Sequence, residues 1–203
     1  MRLGIFGGTF DPPHLGHLIL ASEALFQLNL DRLLWVLTPQ PPHKPQRQIT
    51  PLAARLKMLN AVVDLQPGFS LSRVEIERSS PHFAVDTVEL LGEKYPGAHL
   101  VYLLGGDSLR DLSLWHQARK FVQITDTVAV MPRPHVSINI TAVYRELPGL
   151  NEKLYFLRAP LLEISSTAIR NRVKENRPYR YFLIPDVYEL IRKNKLYLKT
   201  GKD

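Results

Sequence analysis

Short apolar or β-branched runs alternate with helical patterns along the chain, and this alternation constrains the fold more than any single residue. Arg2–Phe6, Leu33–Leu37, Phe69–Val74, Leu100–Leu104, Thr127–Met131 and Leu154–Leu157 read as strands. Leu15, Leu18, Ile19, Leu25 and Leu28 fall on one stripe at three- and four-residue steps, the spacing of an amphipathic helix. Leu52–Leu65 is a second helix, stopped by Pro67-Gly68, and Val85–Tyr95 a third, ended by Pro96-Gly97. Asp107–Val122 reads as a broken helical segment, and Ser137–Arg145, Ser166–Lys174 and Asp186–Lys195 as helices. Strands joined by helical crossovers make βαβ units. The predicted fold class is therefore α/β, a doubly wound, mostly parallel sheet with helices on both faces. Ligands of such sheets bind beyond the carboxyl ends of the strands, where the strand order reverses. A length of 203 residues suits one domain over 1–203, with 166–203 as a small C-terminal helical appendage.

The absence of cysteine excludes a disulfide framework, thiolate metal sites and cysteine nucleophiles, and favours a reducing compartment. A hydrophobic share of 45% excludes wholesale disorder. No apolar run approaches the roughly 18 residues of a membrane span, and Met1–Phe6 lacks a signal peptide's long apolar stretch. No membrane partner and a cytoplasmic location are expected. The net charge of +7 invites a nucleic-acid reading, but its distribution argues against one. Of the 26 Lys and Arg, 10 lie in 166–203, beside only 4 of the 19 Asp and Glu. The excess is local to the C-terminal end, and no nucleic-acid partner is expected.

The first strand runs into Gly7-Gly8-Thr9-Phe10-Asp11-Pro12-Pro13-His14-Leu15-Gly16-His17. A glycine turn after a strand lets backbone N–H groups approach a phosphate, and the next helix points its positive end at the same place. His14 and His17, three apart at that helix start, share a face, and Gly16 between them removes a side chain that could block a bulky ligand. Near the other end, Ser165, Ser166 and Thr167 are helix-capping types, and Arg170 follows one turn after Ser166. A guanidinium fork suits phosphate oxygens. Asp107, after a strand and Gly105-Gly106, stands where carboxylates take ribose hydroxyls or cap a helix. Phe6, Trp35, Tyr102 and Phe121 read as core. His99, His116 and His135 form no metal pattern and read as structural or exposed.

Gly7–His17 resembles the HxGH signature region of the nucleotidyltransferase superfamily, and Ile164-Ser165-Ser166-Thr167-Ala168-Ile169-Arg170 resembles its ISSTxxR motif. Two such motifs in this order, about 150 residues apart, are a specific signal. Pro41-Pro42-His43-Lys44, Gly105-Gly106-Asp107-Ser108, Trp115 and the stretch from Tyr181 to Tyr197 are similar to the bacterial nicotinate-nucleotide adenylyltransferases. The likeness covers essentially the whole chain. It implies a Rossmann-like fold and adenylyl transfer from ATP to nicotinate mononucleotide, with Mg²⁺ bound through the ATP phosphates and no protein metal ligands. The catalytic residues implied are His14, His17, Lys44 and Arg170. ATP would meet Gly7, Gly8, Thr9, Phe10 and His17 from the first motif, Gly105 and Asp107 from the middle, and Ile164, Ser165, Ser166 and Arg170 from the second. The acceptor would meet Lys44, in a loop from Pro39 to Pro51 that carries five prolines, and Phe83, Ala84, Thr87 and Trp115, the last as a flat wall for the pyridine. Where the family often shows Ser-Tyr-Thr, this chain has His82-Phe83-Ala84, so the threonine hydroxyl is absent. His82 could replace that donor, though a surface position is expected for it. Arg133 is a weaker candidate for ATP. A homo-oligomer is compatible with the sequence.

Four other readings compete, one of them a noncatalytic nucleic-acid-binding module motivated by the basic C-terminal end, which no aromatic-interleaved basic patch supports. A phosphopantetheine adenylyltransferase shares both signatures but is typically shorter, and the Lys44 loop is not expected there. An amide mononucleotide could replace the acid as acceptor. A fragment of a class I aminoacyl-tRNA synthetase would need a KMSKS-like lysine motif, and none stands near Ile164–Arg170.

Overall fold

A computed structural model of the chain describes residues 1–41, 49–132, 134, 136–160 and 162–198. Six strands form one sheet: β1 (Arg2–Gly8), β2 (Arg32–Leu37), β3 (Phe69–Ser72), β4 (His99–Gly105), β5 (Thr127–Met131) and β6 (Leu154–Phe156). Their order is β3-β2-β1-β4-β5-β6, and every pairing is parallel. The order reverses between β1 and β4, so a crevice opens where Gly7-Gly8 and Gly105 end those two strands.

Parallel strands are buried on both faces, and the side chains sort by strict alternation. Leu33, Trp35 and Leu37 of β2, Val101 and Leu103 of β4, and Ala129 and Met131 of β5 enter one hydrophobic cluster. Leu34 and Val36, Tyr102 and Leu104, and Val128 and Val130 enter the other. Helices α1 (Leu15–Gln27) and α2 (Leu52–Val63) cover the first face; α3 (Ala84–Lys94), α4 (Gly106–Arg110) and α5 (Ala118–Ile124) cover the second. Two short helices, α6 (Ile140–Glu146) and α7 (Leu150–Lys153), join the second face through Val143 and Leu150. The C-terminal α8 (Ser166–Lys174) and α9 (Pro185–Lys193) place Ile169, Val173, Val187 and Ile191 in the first cluster, so the basic appendage is built into the core.

Boundaries follow local chemistry. The Asn139 side chain accepts from the Ala142 N–H, so α6 starts at Ile140 and not at Ser137. Gly149, at φ 84, turns the chain into α7, a single turn with no sequence periodicity to announce it. Pro185 stands at the first position of α9, where its missing N–H costs nothing. The segment Asp107–Val122 is indeed broken, into α4, a 3₁₀ turn at Leu112–Leu114 and α5. Among the described residues no helix is long and apolar enough to cross a membrane.

Candidate active site

The β1–α1 turn is shaped by contacts that a larger side chain would break. A Cβ on Gly7 would stand 2.8 Å from the Tyr102 hydroxyl, and one on Gly8 would stand 3.1 Å from the Phe10 ring. Phe10 takes φ 44, a left-handed value that costs a non-glycine residue about 1–3 kcal/mol. Burial of its ring against Phe6, Trp35 and His17 offsets that strain. Its side chain therefore belongs to the core, and Phe10 borders neither of the cavities described below.

His14 caps α1 and His17 lies three residues on, and their rings stack with centroids 3.6 Å apart. The His14 backbone N–H donates to His17 Nδ1 at 3.2 Å, so a neutral His17 ring carries its proton on Nε2 as a donor. The rings of Phe6 and Phe10 fix the same imidazole edge-on. A Cβ on Gly16 would lie 3.1 Å from His14 Nδ1, so this glycine makes room for the histidine ring as well as for a ligand.

The second signature closes on the first. Ser165 caps α8 by accepting from the Ala168 N–H. The Ser166 hydroxyl donates to the Pro12 carbonyl at 2.8 Å, and Arg170 Nη1 donates to the Asp11 carbonyl at 2.7 Å. Arg170 Nη2 also donates to Thr167 Oγ1. From the C-terminal end, Tyr197 donates its hydroxyl to Asp11 Oδ1 at 2.8 Å. Burial, with the Asp11 charge beside it, pushes the Tyr197 phenol up, so it stays a donor. Beneath this clasp Arg55 is only 2% exposed. It donates to the carbonyls of Thr9, Thr38, Pro39 and Thr50 at 2.7–3.0 Å. Desolvation lowers its affinity for the proton, opposed by the nearby Asp11 carboxylate.

Two cavities flank the end of β1. One, of about 210 Å³, meets both histidines, Gly105, Asp107, Ser108 and Ile164. The other, of about 140 Å³, meets Gly8, Thr9, Glu75, His82, Phe83 and His116. Gly7, Tyr102 and Trp115 border both, so the two cavities meet along that shared wall. Trp115 is set against Tyr102 and Phe121 by edge and tilted ring contacts.

The chain is similar in sequence and fold to known proteins. Residues 5–172 match the cytidylyltransferase-like family. The chain is 42% identical to the probable nicotinate-nucleotide adenylyltransferase of Corynebacterium kroppenstedtii, over 99% of this chain and 93% of the relative. It is 38% identical to the nicotinate-nucleotide adenylyltransferase of Bacillus subtilis, over 97% of this chain and 98% of that one. The chain belongs to the nicotinate-nucleotide adenylyltransferase family. It is a nucleotidyltransferase with a Rossmann-like fold. A Plasmodium falciparum nicotinic acid mononucleotide adenylyltransferase, solved in complex with NaAD, superposes with a TM-score of 0.80 at 20% identity, covering 97% of each chain. At that identity the likeness is one of fold.

The residues of this adenylyltransferase-family chain that sequence reasoning singled out do not all converge. His14, His17, Gly105, Asp107 and Ile164 border the larger cavity, and Trp115 borders both. Gly8 and Thr9, expected at ATP, border the smaller cavity instead. Asp107 lies in the first turn of α4, whose N-cap is Gly105, so it is not a cap. Ser165 and Ser166 are occupied in capping and in holding Pro12. Thr87 is fully buried behind the wall, its hydroxyl donating to Glu75 Oε1 at 2.6 Å. Lys44, His43, Arg133 and His135 lie outside the described residues.

One histidine expected at the surface, His82, and one expected to be structural or exposed, His116, border the smaller cavity. His82 is buried, and His116 stacks on Phe83 with centroids 4.0 Å apart at 22°. Sequence reasoning passes over Arg55 and Glu75 entirely, and names Tyr197 only as part of the C-terminal likeness. Arg55 did carry a signal: it shares the helical stripe of the buried Met58, Leu59 and Val62.

Proposed function

We propose that this chain transfers the adenylyl group of ATP to the phosphate of nicotinate mononucleotide, a step of NAD biosynthesis. The observation that carries this reading is the pair of cavities meeting at one wall, Gly7–Tyr102–Trp115, beside a histidine pair at a helix start. The reaction joins two nucleotides, so it needs two pockets whose contents touch. ATP takes the larger cavity, with Asp107 at its ribose and the stacked histidines at its phosphates. The mononucleotide base takes the smaller one.

An acceptor phosphate oxygen attacks the α-phosphorus of ATP. The new P–O bond forms as the bond from the α-phosphorus to the bridging oxygen breaks, and pyrophosphate leaves with that electron pair. The nucleophile is already ionised, because the second pKa of a phosphate monoester is about 6. No general base or enzyme nucleophile is needed. What the protein supplies is alignment and charge neutralisation. His17 Nε2–H and the start of α1 meet the charge that builds at the α-phosphoryl group. Arg170, held through the Asp11 carbonyl and Thr167 Oγ1, brings its guanidinium charge to the leaving pyrophosphate in this reading. Lys44 takes the incoming phosphate in this reading. A Mg²⁺ ion would be held by the nucleotide rather than by the chain, in a cavity lined by His14, His17 and Asp107, and would supply charge neutralisation there. The cavity's donors, two imidazoles and the Asp107 carboxylate, suit a metal carried by the nucleotide. An ATP-dependent step on a soluble mononucleotide fits a cytoplasmic setting.

Pyrophosphate release from ATP is expected with nicotinate mononucleotide as acceptor. Release with neither the acid nor the amide mononucleotide overturns the reading. Arg170→Lys keeps the charge and loses the fork, so kcat/KM for ATP is expected to fall about tenfold or more, the worth of one charge-assisted hydrogen bond of about 1.5–3 kcal/mol. An unchanged value removes Arg170 from the phosphate site.

A further inference from the structure

The smaller cavity carries two buried polar atoms that no described residue satisfies. Glu75 is 3% exposed and His82 7%. Glu75 Oε2 and His82 Nδ1 make no hydrogen bond within the described structure, and both residues line this one cavity. Folded proteins pair nearly all such atoms, so two on one wall point to a polar group that arrives with a ligand. The Thr87 hydroxyl commits Glu75 Oε1. The Thr38 hydroxyl acts on the same carboxyl from nearby without closing a hydrogen bond to Oε2. The neighbouring Phe83, stacked on His116, and Trp115 make the walls of a slot for a flat ring, and Ala84 adds no polar atom.

We propose that Glu75 and His82 are specificity-determining residues that bind the polar substituent of the acceptor's pyridine ring and favour the acid over the amide. This rests on the adenylyl-transfer reading. A carboxylate offers only acceptors, whereas a carboxamide presents an NH₂ that needs an acceptor. Burial pushes the Glu75 carboxyl up, towards its O–H form, against the pull of Thr87 and of the Arg78 charge. Burial, with the Arg78 charge adding to it, holds the His82 ring towards its neutral form, which keeps one N–H. In those forms, with the His82 proton on Nδ1, both residues donate. A carboxylate satisfies both, while an amide sets its own N–H groups against at least one of them.

The test is the ratio of kcat/KM for nicotinate mononucleotide over nicotinamide mononucleotide, each with ATP. The ratio is taken on a single preparation of each variant, so a partly misfolded sample does not alter it. Glu75→Ala and His82→Ala are each expected to lower the ratio about tenfold or more, the effect of losing one buried donor. Glu75→Gln keeps the shape and a donor, and is expected to stay within about threefold of the parent. A ratio unchanged in either alanine variant overturns the proposal, as does a Gln variant that falls as far as Ala. If the unmodified chain turns over neither mononucleotide, the adenylyl-transfer reading itself fails. If it turns over the acid and the variants keep its ratio, only the selector fails.

Discussion

Replacing His17 by alanine is expected to lower kcat about 10²- to 10³-fold while leaving the fold nearly intact. The size follows from geometry. His17 Nδ1 is held by the His14 N–H, and its ring, fixed by Phe6, Phe10 and His14, borders the larger cavity. A donor already oriented pays no reorganisation when charge develops on the transferring phosphoryl group. The structural role of the same ring is small: one capping hydrogen bond, worth about 1 kcal/mol. For a chain of this size that lowers Tm by roughly 2–4 °C. Steady-state pyrophosphate release and a thermal melt on the same protein separate the two. Turnover within about threefold of the parent, with the cap lost, would show that His17 serves only the helix.

Arg55→Met should have the opposite signature, a large loss of stability led by structure. The guanidinium holds four carbonyls, those of Thr9, Thr38, Pro39 and Thr50. These belong to three chain segments: the turn after β1, the exit of β2 and the approach to α2. Methionine fills much of the volume but offers no donor, so buried carbonyls lose their partners. Removing one partner of a buried charged network costs about 3–5 kcal/mol. The Tm is expected to fall roughly 6–20 °C. Activity well below the new Tm should fall too, because Thr9 is on the wall of the acceptor cavity. Arg55→Lys should lie between, since one ammonium cannot reach four carbonyls in three directions. A melt within about 2 °C of the parent for the Met variant would show that water replaces the guanidinium at no cost.

Much of the fold was legible before any coordinates. Buried parallel strands are apolar runs, and the four central ones were visible as such; the edge strands β3, which alternates with serine and ends at Ser72 and not at Val74, and β6, which is largely exposed, were read from shorter apolar signals. The helices on either side show their stripes because each packs one face on the sheet. The exceptions are local: α7 is one turn, too short for a period to register, and α6 begins where Asn139 caps it. The site was legible where function sits in backbone turns, as at Gly7-Gly8 and at the start of α8. It was illegible where function depends on burial. Glu75 and His82 look like ordinary surface residues, because their neighbours in sequence are not their neighbours in space.

The order of elements, the glycine turn, the histidine pair three residues apart and the capped helix with its arginine are properties of short windows of chain. Local conformation and one-turn spacing decide them, so residue order alone is enough. That Ser166 and Arg170 close on Pro12 and Asp11, more than 150 residues away, is a property of packing. So are the four carbonyls gathered by Arg55 and the two cavities divided by Gly7, Tyr102 and Trp115. The cost of burying a polar atom, and the partner that offsets it, exist only once distant segments have met, and only the tertiary structure could decide them.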